Sequence, residues 1–363
     1  MATALTPRAA AVDGGWPTGT MRAAVLTAEH RAEEATLPVP APAAGEALIA
    51  PLLVGLCGTD LELLHGTATY VRDGRAPYPH VFGHEWVGRV VALPPQDADA
   101  PSAGRPVVGD RVVGHTMISC GSCRACHRGR RNECGDLREV GLYGQQGAAA
   151  QYLRMPTRAL TVVPDEVGDA QAVLVEPTVT VLEGLARTGR SAGDRALVLG
   201  TGTIGLLAVQ LVARLTGAVD VVGVAENGLR TAAAFGARRL FRPGQAPGGH
   251  YDLVVEASGA PEAFHDAVRA AAVGGDIAVV GVAGHLVDGV DVGDLTLRGI
   301  TVHGVRHGLD HYDRALRLFA EGALTADGMI ARRVPLRRVP DAFRLLQDGD
   351  RAAPKVTLDL TAA

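Results

Sequence analysis

Gly200, Gly202 and Gly205 punctuate a turn between the apolar run Ala196 to Leu199 and an apolar stretch that continues to Leu215. A Gly-x-Gly-x-x-Gly turn in that setting restricts the fold sharply. The first glycine allows the tight turn, the second lets backbone approach a pyrophosphate, and the third lets helix and strand pack closely, with Thr203 and Ile204 opening the helix whose N–H groups face the anion. Arg195 to Leu199 reads as a buried strand, Gly205 to Leu215 as a helix and Val219 to Val224 as the next strand. Tyr251 to Val255, Asp276 to Val280 and Ile300 to His303 supply further strands, with Pro261 to Val273 as an intervening helix. Such alternation predicts an α/β chain with a doubly wound parallel sheet. Glu226, 21 residues after Gly205, is the acid placed to grip ribose hydroxyls, although Ala225 competes for that register position. Arg230 is nearby, and NAD is favoured over NADP.

The part before this sheet has a different rhythm. Short β-like runs at Glu46 to Val54, Val87 to Ala92, Arg111 to Gly114 and Ala149 to Met155 are broken by Gly and Pro, the pattern of a small β-rich domain with long loops. Residues 1–20 read as a loose extension before a strand at Met21 to Leu26, and Pro94 to Pro106 as an exposed loop. An amphipathic helix at Tyr312 to Glu321 and a last strand at Lys355 to Leu360 close the chain. At 363 residues more than one core is expected.

Cysteine usage narrows the chemistry. Cys120, Cys123, Cys126 and Cys134 form a Cys-x2-Cys-x2-Cys-x7-Cys cluster, a closed tetrahedral shell for a structural zinc. The fifth cysteine, Cys57, lies 27 residues before His84 and its neighbour Glu85. One thiolate, one imidazole and a carboxylate leave a position open for substrate, as a catalytic zinc requires. Glu85 and Glu176, the latter at the junction of the β-rich and α/β regions, are both candidates for the carboxylate. Two zinc ions per chain are therefore expected. The N-terminal residues carry no secretory signal pattern, so a reducing, cytoplasmic setting is expected, where such spacings favour metal over disulfides. A net charge of −4 argues against nucleic acid and anionic membrane as partners, and no apolar run approaches the ~20 residues needed to span a bilayer.

The order Gly-Leu-Cys57-Gly-Thr59-Asp60, Gly83-His84-Glu85, Gly109-Asp110-Arg111-Val112, the Cys120 to Cys134 lobe, Val-Glu176-Pro and Gly200 to Gly205 resembles the zinc-dependent medium-chain alcohol dehydrogenases, nearest the sorbitol, threonine and glucose dehydrogenase branch. The resemblance implies a GroES-like catalytic domain over 21–170 with a zinc lobe at 115–138, a Rossmann domain over 171–304, and a return to the catalytic domain over 305–363. It implies catalytic zinc ligation by Cys57, His84 and Glu176, with Glu85 as an exchangeable ligand. It also implies proton uptake by Thr59, ligand orientation by Asp60, and a dimer or tetramer of this chain. Where many polyol and threonine dehydrogenases carry a relay histidine, this chain has Glu62, which becomes a candidate for substrate binding or proton transfer. Arg306, His307, Asp310 and His311 resemble the stretch that runs past nicotinamide and substrate.

The activity expected is reversible oxidation of a secondary alcohol on a sugar, polyol or cyclitol, amino-cyclitols included. Competing readings are a dehydrogenase for a simple alcohol or amino alcohol, a zinc-lobe interaction module, and a reductase without catalytic zinc.

Overall fold

The computed structural model describes residues 16–94, 104–282, 286–348 and 353–362. Most of the expected N-terminal extension and most of the Pro94 to Pro106 loop lie outside the described residues. The first strand, Thr20–Ala28, pairs with Arg31–Pro38, a hairpin strand that the sequence pattern did not reveal.

Two sheets organise the chain. The larger is a seven-stranded, mainly antiparallel sheet whose longest strand, Glu46–Leu56, pairs with Glu85–Ala92, Lys355–Asp359 and Leu153–Pro156. Alternate side chains of that strand, such as Ala47, Ile49, Val54 and Leu56, enter one core with Trp86, Phe82 and Phe343. The second sheet has six parallel strands in the order Ala237–Phe241, Val219–Val222, Ala196–Leu199, Tyr251–Glu256, Ala271–Val279 and Thr301–Gly304. Strand order reverses direction between Ala196–Leu199 and Tyr251–Glu256, and in open α/β sheets that switch point is where ligands bind.

The C-terminal part of the chain packs against both regions. The helix Tyr312–Ala320 buries Tyr312, Leu316 and Phe319 in the core that also holds Val198 and Leu206 of the parallel-sheet domain. The same core takes in Leu53, Val87 and Val113 of the antiparallel sheet. Among the described residues after 305, Ile330–Pro335 and Lys355–Asp359 join the antiparallel sheet.

Candidate active site

Strand register gathers the dispersed site. Glu46–Leu56 runs out at Cys57, and Gly55 faces Glu85 across the antiparallel ladder. On the other side Val356 faces Leu56, which brings Lys355 to the same strand end. Gly55 is required here, because a Cβ would occupy the place of the Glu85 carboxylate. Cys57 Sγ lies 3.2 Å from His84 Nε2, and ligand atoms of Cys57, His84 and Glu85 fall within 4.8 Å of one another. A tetrahedral zinc with bonds of ~2.3 Å to sulfur and ~2.05 Å to nitrogen separates two such donors by about 3.6 Å. The residues fit that ion.

The charges around this trio also suit a dication. Burial by itself would lower the His84 pKa, but Cys57, Asp60 and Glu176 outweigh it and hold it well above the ordinary imidazole value. An excess of negative charge that favours a proton favours a metal that displaces it. Asp60 is buried, accepts the Cys57 N–H through Oδ2 at 2.9 Å, and points Oδ1 at His84 Nδ1 across 3.7 Å. Burial pushes its carboxyl up, with His84 opposing. Asp60 thus stands beside both Cys57 and His84.

The two candidate carboxylates occupy different positions. Glu85 belongs to the tight trio, yet its carboxylate is ion-paired with Lys355, whose Nζ also donates to the Leu56 carbonyl at 3.1 Å. Burial would depress the Lys355 ammonium, but Glu85 and Cys57 hold its pKa above the usual value. Sequence reading gave Lys355 no role. Glu176 lies in the first turn of the helix Val175–Thr188, where the helix dipole favours an anion. Thr116 Oγ1 stands 3.1 Å from Glu176 Oε1 and 3.1 Å from the His84 carbonyl oxygen, which couples Glu176 to the trio. Burial, opposed by His84, pushes the Glu176 carboxyl up to about 7.

Thr59 and Glu62 ride on the short helix Gly58–Leu64 that begins immediately after Cys57. Both are half-buried. Burial raises the Glu62 carboxyl, Arg72 lowers it, and its charge is felt by Tyr70 together with Glu139 and Arg306. Of the four ionisable residues in 306–311, His307 does not face a ligand space as an exposed group. It is buried, its pKa pushed down to about 3 by burial and by His115, with Nδ1 3.2 Å from Thr180 Oγ1 and Nε2 3.2 Å from Tyr312 Oη. Asp310 pairs with Arg131 and His311 with Glu183. Arg306 reaches Glu139 Oε1 at 3.3 Å.

The lobe is a second, self-contained centre. Sulfur separations are 3.5 Å for Cys123–Cys126, 3.8 Å for Cys123–Cys134 and 4.0 Å for Cys120–Cys126. Tetrahedral bonds of ~2.3 Å place thiolates about 3.8 Å apart. Hydrogen bonds from Ser122 and from the Cys123 N–H hold the Cys120 thiol down at about 6, whereas burial pushes Cys134 up to about 11. All five cysteines are free of disulfides.

At the switch point a cleft of about 950 Å³ is lined by Gly200, Thr201, Gly202, Gly223, Ala257 and Ser258, among others. Gly200 adopts φ +110°, a conformation that L side chains avoid. Space is open in front of Gly202, and a Cβ on Gly205 would overlap the Gly200 carbonyl. A pyrophosphate fits this cradle. Thr203 and Ile204 start the helix Thr203–Thr216 behind it. Glu256, overlooked in the sequence, shapes the opposite loop by accepting the Ser258 and Gly259 N–H groups at 2.8 and 2.9 Å. Glu226 is the first residue of the helix Glu226–Ala234, with Ala225 as its N-cap. Its carboxylate is engaged by Arg242 at 2.8 Å.

Comparison with known proteins agrees with this geometry. Residues 43–165 match the family model described as alcohol dehydrogenase GroES-like domain, and residues 203–321 match zinc-binding dehydrogenase. L-threonine 3-dehydrogenase of Saccharopolyspora erythraea is 32% identical, over 94% of this chain and 99% of that protein. Sorbitol dehydrogenase of Bacillus subtilis is 28% identical, over 90% and 94%. A zinc-binding dehydrogenase of Sinorhizobium meliloti solved with NADP superposes with a TM-score of 0.83 at 29% identity, covering 94% of this chain and 99% of that one.

Proposed function

The chain belongs to the zinc-dependent medium-chain alcohol dehydrogenase family and is an oxidoreductase, and from that premise we propose that it reversibly oxidises a secondary alcohol of a polyhydroxylated small molecule, a sugar, polyol or cyclitol. The observation that carries the reading is the Cys57, His84 and Glu85 trio, with Glu176 coupled to it through Thr116. Bound zinc supplies Lewis-acid polarisation of the substrate oxygen, and bound nicotinamide dinucleotide supplies the two-electron hydride acceptor. The protein's own part is to hold and move the proton. Thr59 takes the hydroxyl proton at Oγ1, and Glu62, three residues further along the same helix, receives it in place of a relay histidine. A half-buried carboxyl whose pKa burial has raised is a stronger base for that transfer than an exposed one.

Cys57 and His84 are the constant zinc ligands in this reading. Glu176 would complete the set, since Glu85 is already neutralised by Lys355, and Glu85 would be the alternative carboxylate for the same ion. A second zinc is held by the four lobe cysteines. The polar substrate is favoured by the ionisable groups gathered beyond Thr59, where Tyr70 feels the charges of Glu139, Arg306 and Glu62. NAD is the proposed cofactor, with Glu226 as the acid for the ribose. Its pairing with Arg242 weakens the preference, because a guanidinium beside the strand end also suits a 2′-phosphate. The protein acts in the cytoplasm as a dimer or tetramer of this chain on a small-molecule substrate.

A panel of polyols, aldoses, cyclitols, amino-cyclitols and simple alcohols, assayed with NAD and with NADP, tests the proposal. The best substrate is expected to carry vicinal hydroxyls, and Glu62→Gln is expected to reduce kcat about tenfold or more while displacing its pH profile. Simple alcohols turned over as well as polyols, or a Glu62→Gln variant with the parent profile, would overturn the substrate class or the relay respectively.

A further inference from the structure

The two cysteine-containing centres are joined by an unbroken set of contacts, and the segment 306–312 is the joint. On its outer side it is gripped by the lobe. Asn132 Nδ2 donates to the His307 carbonyl at 3.1 Å, Arg306 Nη1 donates to the Asn132 carbonyl at 3.0 Å, and Arg131 pairs with Asp310. Arg131 and Asn132 lie in the 3-10 turn Arg131–Glu133 that leads directly into Cys134. Whatever fixes Cys134 therefore fixes the two residues that hold the segment.

On its inner side the same segment lies along the helix Val175–Thr188. His307 Nδ1 is 3.2 Å from Thr180 Oγ1 and 3.7 Å from Glu176 Oε1, and His311 Nε2 is 3.2 Å from Glu183 Oε2. Gly308 sits so close that a Cβ would overlap the Val179 carbonyl oxygen. At the end of the segment Tyr312 Oη accepts the Thr116 N–H at 3.1 Å, and Thr116 is the residue whose hydroxyl lies between Glu176 and the His84 backbone. The segment thus presses on Glu176 and Thr116 from behind.

We propose that Arg131 and Asn132 are positioning residues for the reaction, acting through 306–312 to hold Glu176 and Thr116 in the geometry that the Cys57 and His84 pair needs. The inference rests on the dehydrogenase reading of the site. It gives the lobe a part in turnover beyond bracing its own loop. Neither residue touches the reacting atoms, and a carboxylate displaced by about 1 Å can cost on the order of a hundredfold in rate. The exposed Arg131–Asp310 pair contributes little to global stability, so its effect on turnover can be separated from unfolding.

Four proteins test this: Arg131→Asp, Asp310→Arg, the double exchange, and Asn132→Ala, each compared with the parent for kcat, KM, direct NADH binding, zinc content and amide hydrogen exchange of 304–312. Arg131→Asp and Asn132→Ala are expected to lower kcat about tenfold, with unchanged zinc content and NADH affinity and with faster exchange in 304–312. The double exchange is expected to restore both kcat and exchange protection. Parent kcat in Arg131→Asp and Asn132→Ala, or faster exchange without loss of kcat, overturns the positioning role while leaving the dehydrogenase reading intact. Failure of the double exchange to recover kcat overturns it as well. A parent protein inactive on every alcohol tested overturns the dehydrogenase reading and the inference with it, whatever the exchange data show.

Discussion

The lobe and the cleft site use the same amino acids to opposite ends. In the lobe, four thiols lie within one short stretch, Cys120 accepting from Ser122 and the Cys123 N–H and Cys134 from the Cys120 N–H, and fit a closed shell without help from distant chain. In the cleft, the donors come from two strand ends and a helix start, and a lysine from the last strand balances them. The difference teaches that a closed site can be built locally, whereas an open one needs a scaffold to keep its ligands from collapsing onto each other. Lys355 and Asp60 do this for the cleft by engaging Glu85, Cys57 and His84.

Paired cysteine variants are the strongest way to break this comparison. Cys57→Ser is expected to lower kcat/KM by roughly three orders of magnitude or more, remove about one zinc per chain and leave the melting temperature nearly unchanged. Cys134→Ser is expected to lower the melting temperature by on the order of 10 °C as the lobe loses its closed shell and its zinc, and to lower kcat by only about tenfold through the loosened Arg131 and Asn132. Calorimetry and metal analysis on the two variants decide the matter. If both lose stability equally, the division into a reactive and a bracing centre fails.

Lys355→Met sharpens the account of the open site. Removing one partner of a buried ion pair leaves the other uncompensated and costs about 3 kcal/mol or more. Zinc can stand in as the counter-charge for Glu85. Urea unfolding of the metal-free variant is therefore expected to show the full loss, and the zinc-loaded variant a much smaller one. Equal losses in both forms would mean that Glu85 never approaches the ion.

The smallest effect is expected between the two centres, at His115. It is buried, its Nε2 is 3.1 Å from Thr161 Oγ1, and its ring stacks on Tyr312 at 4.3 Å. Burial, assisted by Arg131, pushes its pKa down to about 4. The unfolded chain, with an ordinary value of ~6.5, then binds a proton that the folded chain does not. Stability is full above about pH 6.5, falls as pH drops towards about 4, and levels off below. His115→Gln is expected to flatten that part of the profile by one to a few kcal/mol, on the order of what such shifts carry. Denaturant midpoints between pH 7 and 4 would detect this, and an unchanged slope would show that His115 titrates normally.

Legibility followed the same divide. The lobe, the glycine turn and the helices at Thr203–Thr216 and Tyr312–Ala320 could be read because their signals are contiguous. Ala237–Phe241, an edge strand with exposed Arg238 and Leu240, and Arg31–Pro38, whose side chains are only partly buried, were missed because neither carries a run of apolar residues. The helix Val175–Thr188 escaped notice behind its early Pro177, although proline is tolerated in a first turn. Cys57, His84, Glu85 and Glu176 were legible as residue types, while Lys355, Thr116, Glu256 and the inward turn of His307 carried no local signal at all.

The sequence by itself determined the fold class, the four-cysteine cluster and the residue types that gather around Cys57 and His84, because spacing along the chain carries that information. Only the tertiary structure decided which carboxylate meets which cation, that the C-terminal part packs against both regions, and that the lobe grips a segment backed against Glu176. Those outcomes depend on strand register and on the balance of buried charges. Both arise from residues that are distant in sequence and adjacent only once the chain has folded.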